Sequence, residues 1–203
     1  MKIICIGRNY SEHAKELGNE TPKEPVFFLK PDTAISPKGH PFFIPEFTKN
    51  VHHEVELVVR INRLGKHIEE KFAHKYYHQI GLGIDFTARD IQEEVKAKGL
   101  PWEKAKGFDG SAVISRKYLD KKELNLTDLN FSLKKNGETV QTGNTQDMVF
   151  NIDQIIAYIS RFYTLKIGDL IYTGTPSGVG QVINGDVLEG FMEEQKMFEV
   201  KVK

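Results

Sequence analysis

The chain reads as an α+β protein, because extended segments outnumber helical ones and do not alternate with them as a doubly wound sheet requires. Three observations carry this. Apolar and β-branched residues recur at period two in several short runs, and the clearest helical spacing is confined to one segment. Pro22, Pro25, Pro31, Pro37, Pro41 and Pro45 cut the first third into short extended pieces. No linker, internal repeat or low-complexity tract divides the 203 residues, so one domain spanning 1–203 is expected, long enough to bury a proper core.

Taken in order, a short helix is expected over Tyr10–Leu17, with Asn9 as N-cap, Glu12 at its third position and Gly18 ending it. Val51–Ile61 predicts one strand, since Val55, Leu57, Val59 and Ile61 alternate. Glu69–Gln79 is expected to be helical. A further helix follows Thr87, whose Thr-Ala-Arg-Asp reads as a capping box, and ends at Gly99 before Pro101. Strands are predicted over Leu129–Lys134, Asp169–Thr173, Asp186–Phe191 and Met197–Val202, with Asn136-Gly137 and Asn184-Gly185 as hairpin-type turns. The strongest helix is Ile152–Phe162, where Ile152, Ile155, Ile156, Ile159 and Phe162 line one face.

Acidic and basic residues balance at 28 each, so no excess charge draws the chain to nucleic acid or an anionic membrane. The single cysteine, Cys5, has no intramolecular partner, which fits a reducing cytosol. Ile3–Ile6 is far too short for a signal or membrane segment, so a soluble cytoplasmic protein is expected.

Within His53-Glu54-Val55-Glu56-Leu57-Val58, two carboxylates share one strand face, with Cα atoms roughly 6.5–7 Å apart at ~3.3 Å rise per residue. Two like charges in a half-buried strand repel and are costly to desolvate, so something positive should sit between them. Asp85 follows at a strand end before a helix. Three carboxylates without a thiolate suit a hard cation such as Mg2+ or Mn2+. The alternative, that Glu54 and Glu56 face solvent on an edge strand while Asp85 caps a helix, is equally compatible with the spacing.

Three further groups carry chemistry. His13 and Glu16 are three apart on a short helix and can touch, so they could act together as a general base on water, or form an ordinary solvated pair. Thr173-Gly174-Thr175-Pro176-Ser177-Gly178-Val179-Gly180 offers exposed amides and hydroxyls able to grip a carboxylate, or a plain glycine-rich turn. Arg89 and Gln92 share a helical face where a guanidinium could bind a carboxylate, and Lys104 and Lys106 complete the inventory.

Together these segments resemble the fumarylacetoacetate hydrolase family over essentially the whole chain. The matching signatures are Gly7-Arg8-Asn9-Tyr10, Phe28-Leu29-Lys30-Pro31, His53 to Leu57, Asp85-Phe86-Thr87-Ala88-Arg89-Asp90-Ile91-Gln92, Lys106-Gly107-Phe108-Asp109, and Thr173 to Gly180. The length and the Asp-x-Thr-Ala-Arg-Asp form look most like the acylpyruvase branch, the domain-containing proteins of that family. Ile84 departs from the pattern, since many relatives carry Asn before this Asp.

The resemblance implies a mixed β-sheet roll with a few short flanking helices and a homodimer. It also implies that Glu54, Glu56 and Asp85 bind Mg2+ or Mn2+ (Ca2+ can substitute in a crystal). By the same likeness His13 and Glu16 activate water from a lid, and Lys106 stabilises developing negative charge, with Lys104 a nearby second candidate. Arg89, Gln92 and Thr175 would hold the acid end of the substrate.

The expected activity is hydrolysis of a carbon–carbon bond in small 2-oxo acids, such as acylpyruvates and fumarylacetoacetate-like diketo acids. A cation chelated by the carboxylate and 2-keto oxygen would act as Lewis acid toward the enolate that this cleavage leaves. Isomerisation of a hydroxymuconate-type acid, or decarboxylation of oxaloacetate, would use the same enolate-stabilising site. A catalytically silent metal- or metabolite-binding protein is the alternative from another class, although binding alone needs no water activator.

Overall fold

The structure is a computed structural model that describes residues 1–12 and 21–203. In chain order the strands are β1 (Ile3–Gly7), β2 (Val26–Lys30), β3 (Val51–His53), β4 (Val55–Ile61), β5 (Tyr77–Asp85), β6 (Thr87–Ala88) and β7 (Ala112–Ile114). They continue with β8 (Leu119–Asp120), β9 (Asn130–Lys135), β10 (Glu138–Asn144), β11 (Leu170–Tyr172), β12 (Gly180–Gln181), β13 (Val187–Met192) and β14 (Gln195–Lys201). Among the described residues they are flanked by short helices α1 (Glu70–Ala73), α2 (Arg89–Ala97), α3 (Glu103–Lys106) and α4 (Ile152–Ile159).

The architecture is the expected mixed-sheet roll. The main sheet runs β2-β1-β11-β4-β5-β7, with β8 also on β5; β1 and β11 are parallel and the other pairs antiparallel. A second sheet, β10-β9-β13-β14, and a small one, β12-β3-β6, complete it. The core lies between the main sheet and the second sheet. From β1 and β4, Ile4, Ile6, Leu57 and Val59 face Phe131, Leu133 and Leu188, while Ile3, Cys5 and Val58 join Tyr172 in a smaller cluster on the other side. β1 is therefore buried on both faces, which is why its run is continuously apolar.

Two predicted boundaries moved for identifiable reasons. α4 carries a full capping box, with the Asn151 side chain accepting from the Gln154 amide at 2.9 Å and the Gln154 side chain accepting from the Asn151 amide at 3.0 Å. It stops at Ile159, since Ser160 turns its hydroxyl to the Ala157 carbonyl and receives the Ile68 amide, leaving Phe162 50% exposed instead of on the core face. Of the helix expected over Glu69–Gln79, only α1 forms. Tyr77 already belongs to β5, whose pairing with β4 from Ile61↔Tyr77 to Val55↔Ile84 outweighs local helical preference.

Three further expectations are corrected. Val51–Ile61 is two strands that break at Glu54: β3 pairs with β6 and β12, whereas β4 lies between β11 and β5. Thr87 caps no helix. It lies in β6 with its hydroxyl turned to buried partners, and α2 begins after Ala88 without a side-chain cap. Asn184-Gly185 is a turn but closes no hairpin; the tight connection between β13 and β14 is Glu193-Glu194, with Glu193 at φ 49°. Asn136-Gly137, at φ 54° and 84°, does join β9 to β10 as expected.

Asn9 is not available as a side-chain cap. It donates to the carbonyls of Phe150 at 3.0 Å and Thr173 at 2.8 Å, and accepts from the Phe150 amide at 2.8 Å. Most of the helix expected over Tyr10–Leu17, with His13 and Glu16, lies outside the described residues. No helix among the described residues is long and apolar enough to cross a membrane.

Candidate active site

The break at Glu54 creates the site. Its carbonyl accepts from the Asp85 amide at 2.8 Å, so the backbone itself ties the start of β4 to the end of β5. Glu56, one pleat further along β4, points to the same side. Carboxylate oxygens of Glu54, Glu56 and Asp85 all lie within 4.8 Å of one another. All three are buried, at 5%, 1% and 1% exposure. The edge-strand alternative therefore fails: β4 is flanked on both sides, and the acids face a cavity instead of solvent.

The positive charge that such a cluster demands is Lys106. α3 delivers it, and its ammonium donates to Glu54 Oε2 at 2.7 Å, Asp85 Oδ2 at 2.9 Å and Thr87 Oγ1 at 2.6 Å. Lys104 is exposed on the same helix, so of the two candidates only Lys106 reaches the acids. Burial alone would discharge the Lys106 amine, but Asp85 and Glu54 outweigh it and hold its pKa above the ordinary lysine value. Lys106 is thus a fixed ammonium, suited to stabilising an oxyanion and unsuited to serve as a base.

Lys30 is a site residue that the spacing argument missed. Its Nζ lies 2.7 Å from Asp85 Oδ1, donates to Ser111 Oγ at 2.9 Å and also to the Lys106 carbonyl. One buried ammonium thus anchors both an acid and the end of α3. The available signals were the Phe28-Leu29-Lys30-Pro31 signature and a lysine closing the apolar strand Val26–Lys30. Arg89 donates through Nη2 to Glu54 Oε1 and through Nη1 to Gln92 Oε1, so its fork is engaged by the site itself in this arrangement.

Glu56 stands apart from these pairs. Its Oε2 accepts from the Gly174 amide at 2.7 Å, and no side-chain cation among the described residues contacts it. Burial, then Asp85 and Glu54, push its pKa well above the usual carboxylate range. Asp85 Oδ1, despite its ion-pair contact with Lys30, accepts no hydrogen bond. An underserved carboxylate beside an orphaned oxygen, with only hard oxygen donors present, fits a divalent cation such as Mg2+ or Mn2+.

Thr175 joins from the loop after β11. Its hydroxyl accepts from Gln141 Nε2 at 2.9 Å, leaving its own hydrogen for a ligand. Gly174 needs φ +101° there, and a Cβ would stand 2.7 Å from Asn9 Cβ, so only glycine fits. Gln141 also escaped the sequence argument. Fully buried on β10, its Oε1 accepts from the Val55 amide at 3.1 Å and from His53 Nδ1 at 2.9 Å. It therefore braces the His53 ring and the Val55 backbone on either side of Glu54. Burial keeps His53 neutral by lowering its pKa.

These side chains surround a cavity of about 50 Å3, walled also by Ile6, Phe28 and Trp102. Glu54, Glu56, Asp85, Arg89, Gln92, Lys106 and Thr175 all line it. His13 and Glu16, expected to complete it, lie outside the described residues.

The family model for fumarylacetoacetate (FAA) hydrolase, C-terminal, matches residues 2–203. The chain is 45% identical over 201 residues to oxaloacetate tautomerase FAHD1, mitochondrial, from Mus musculus, covering 99% of this chain and 91% of that one. Among solved structures it resembles fumarylpyruvate hydrolase from Pseudomonas aeruginosa in complex with Mn2+ and pyruvate, with TM-score 0.93, 34% identity, and 100% and 89% of the two chains covered. It also resembles 5-carboxymethyl-2-hydroxymuconate delta-isomerase from Mycobacterium smegmatis, with TM-score 0.87, 33% identity, and 99% and 78% covered. With the motifs, the roll and the whole-length match in agreement, the chain belongs to the fumarylacetoacetate hydrolase family.

Proposed function

We propose that this chain is a divalent-cation-dependent enzyme of short 2-oxo acids that works by stabilising an enolate, and that keto–enol tautomerisation of oxaloacetate is its first activity. The observation that carries this is the buried Glu54, Glu56 and Asp85 cluster bridged by the Lys106 ammonium. The 45% identity to a mammalian oxaloacetate tautomerase supports the choice of substrate, which the sequence argument had considered only for decarboxylation.

Mg2+ or Mn2+ held by Glu54, Glu56 and Asp85 supplies Lewis-acid polarisation of a 2-oxo acid. The chain's own groups do the rest. Lys106, kept charged by its carboxylate partners, stabilises negative charge as it builds on the substrate oxygen. Arg89, Gln92 and Thr175 hold the acid end. Ile6, Phe28 and Trp102 limit water access, which strengthens each electrostatic contact. Tautomerisation then moves one proton from C3 to the C2 oxygen, with no net consumption of water.

Hydrolysis of acylpyruvates is the second reading. It is favoured by His13 and Glu16, a pair that can activate water, and by the likeness to a fumarylpyruvate hydrolase. The same reading takes the chain as one catalytic domain that acts as a homodimer.

The test is a side-by-side assay of oxaloacetate tautomerisation, oxaloacetate decarboxylation and acylpyruvate hydrolysis, with Mg2+ and with chelator. Tautomerisation should be fastest and should collapse on chelation. Rates equal to buffer for all three would overturn the enzymatic reading, and dominant hydrolysis would reverse the order of the two activities.

A further inference from the structure

Arg8 ends β1's approach to the cavity in left-handed backbone, at φ 60°, a conformation that non-glycine residues adopt sparingly and that gathers at functional sites. Its neighbour holds it there. The Asn9 side chain is clamped to Phe150 and Thr173, and the Asn9 carbonyl accepts from the Val149 amide at 2.8 Å. The backbone on the far side of Arg8 is therefore fixed, and its half-buried side chain lines the same cavity as the three acids.

The distribution of charge gives this placement its meaning. Lys30, Lys106 and Arg89 already contact Glu54 and Asp85. Arg8 adds a further cation, and among the described residues it makes no ion pair. Lys96, on α2, lines the same cavity. The two sense each other: burial first, then Arg8 and Arg89, lower the pKa of Lys96. The Arg8 guanidinium, with no carboxylate partner among the described residues, is matched in geometry and charge to a carboxylate of the ligand.

We infer that Arg8 is a specificity-determining residue that receives the distal carboxylate of a 2-oxo dicarboxylic acid, while Arg89, Gln92 and Thr175 hold the first carboxylate. The inference rests on the proposed action on oxaloacetate and assigns a partner to its far carboxylate. A substrate with a neutral far end would leave Arg8 unmatched.

Trp102 is the chain's single tryptophan and lines the cavity, so its fluorescence reports ligand entry without turnover. The experiment titrates malate and lactate, which differ in the distal carboxylate and do not react, into the Mg2+-loaded wild type, Arg8→Gln and Arg8→Lys. Wild type should bind malate more tightly than lactate. Arg8→Gln should weaken malate by about 10-fold or more, the usual worth of a charged hydrogen bond, and leave lactate within about twofold. Arg8→Lys should fall between for malate and match wild type for lactate; it carries the same test should Arg8→Gln not fold.

Equal weakening of both ligands, or no change in either, would overturn the inference. Because binding is read apart from catalysis, the two failures are distinguishable. An inactive protein that still prefers malate through Arg8 sinks the proposed activity alone. An active tautomerase whose malate affinity ignores Arg8 sinks this inference alone.

Discussion

The Asp85 amide donates to the Glu54 carbonyl at 2.8 Å, so two of the three clustered acids are spaced by backbone and not by their own side chains. Repulsion between them cannot be relieved by strand movement without breaking that bond and the β4–β5 ladder beside it. The cluster is instead neutralised in place, by Lys106, Lys30 and Arg89.

The first consequence concerns the ion. A crystal soaked in Mn2+ should show anomalous density between Glu54, Glu56 and Asp85 and nowhere on the neighbouring imidazoles. His53 has Nδ1 committed to Gln141, and nitrogen ligation would favour softer metals. Density on His52 or His53 would refute the carboxylate site.

Lys106→Met should lower tautomerisation by about 10²–10³-fold, the usual effect of removing one oxyanion donor. Mn2+ binding should survive, since no carboxylate is lost. Lys104→Met, on an exposed residue of the same helix, should leave the rate unchanged. Similar losses in both variants, measured by steady-state kinetics, would assign the effect to α3 as a whole.

His13→Ala distinguishes water activation from other roles. Acylpyruvate hydrolysis should fall ~10²–10⁴-fold, as for loss of a positioned general base. Oxaloacetate decarboxylation consumes no attacking water and should fall much less. Glu54→Ala should abolish both. Equal depression of the two activities by His13→Ala would show that His13 does not activate water.

Asp90 provides a pH dependence of known sign. Burial opposes its charge slightly, but its carboxylate accepts from Thr48 Oγ1 at 2.6 Å and from the amides of Lys49 at 3.0 Å and Ile91 at 2.9 Å. The net effect holds its pKa below the ordinary 3.8. A depressed carboxyl stabilises the fold above its unfolded value and loses that contribution as pH falls through the folded one. Asp90→Asn should therefore lower the urea midpoint at pH 7 and narrow the gap to wild type below about pH 4. A gap that widens in acid would contradict the assignment.

Local pattern alone determined a good part of this protein. The alternation of Val55, Leu57, Val59 and Ile61 settles which face of β4 carries Glu56, because strand periodicity is a property of the backbone. The isoleucine spacing and the Asn151/Gln154 box settle α4 for the same reason. The tertiary structure decided what depends on partners distant in sequence. Whether Glu54 and Glu56 are buried turns on β11 and β5 closing over β4, and whether residues 77–79 are helix or strand turns on that same pairing. Lys30, Gln141 and Arg8 have no spacing signature, because each reaches the site from a separate element, and only the folded chain brings Lys30 to Asp85, Gln141 to the Val55 amide beside the acids, and Arg8 onto the cavity wall.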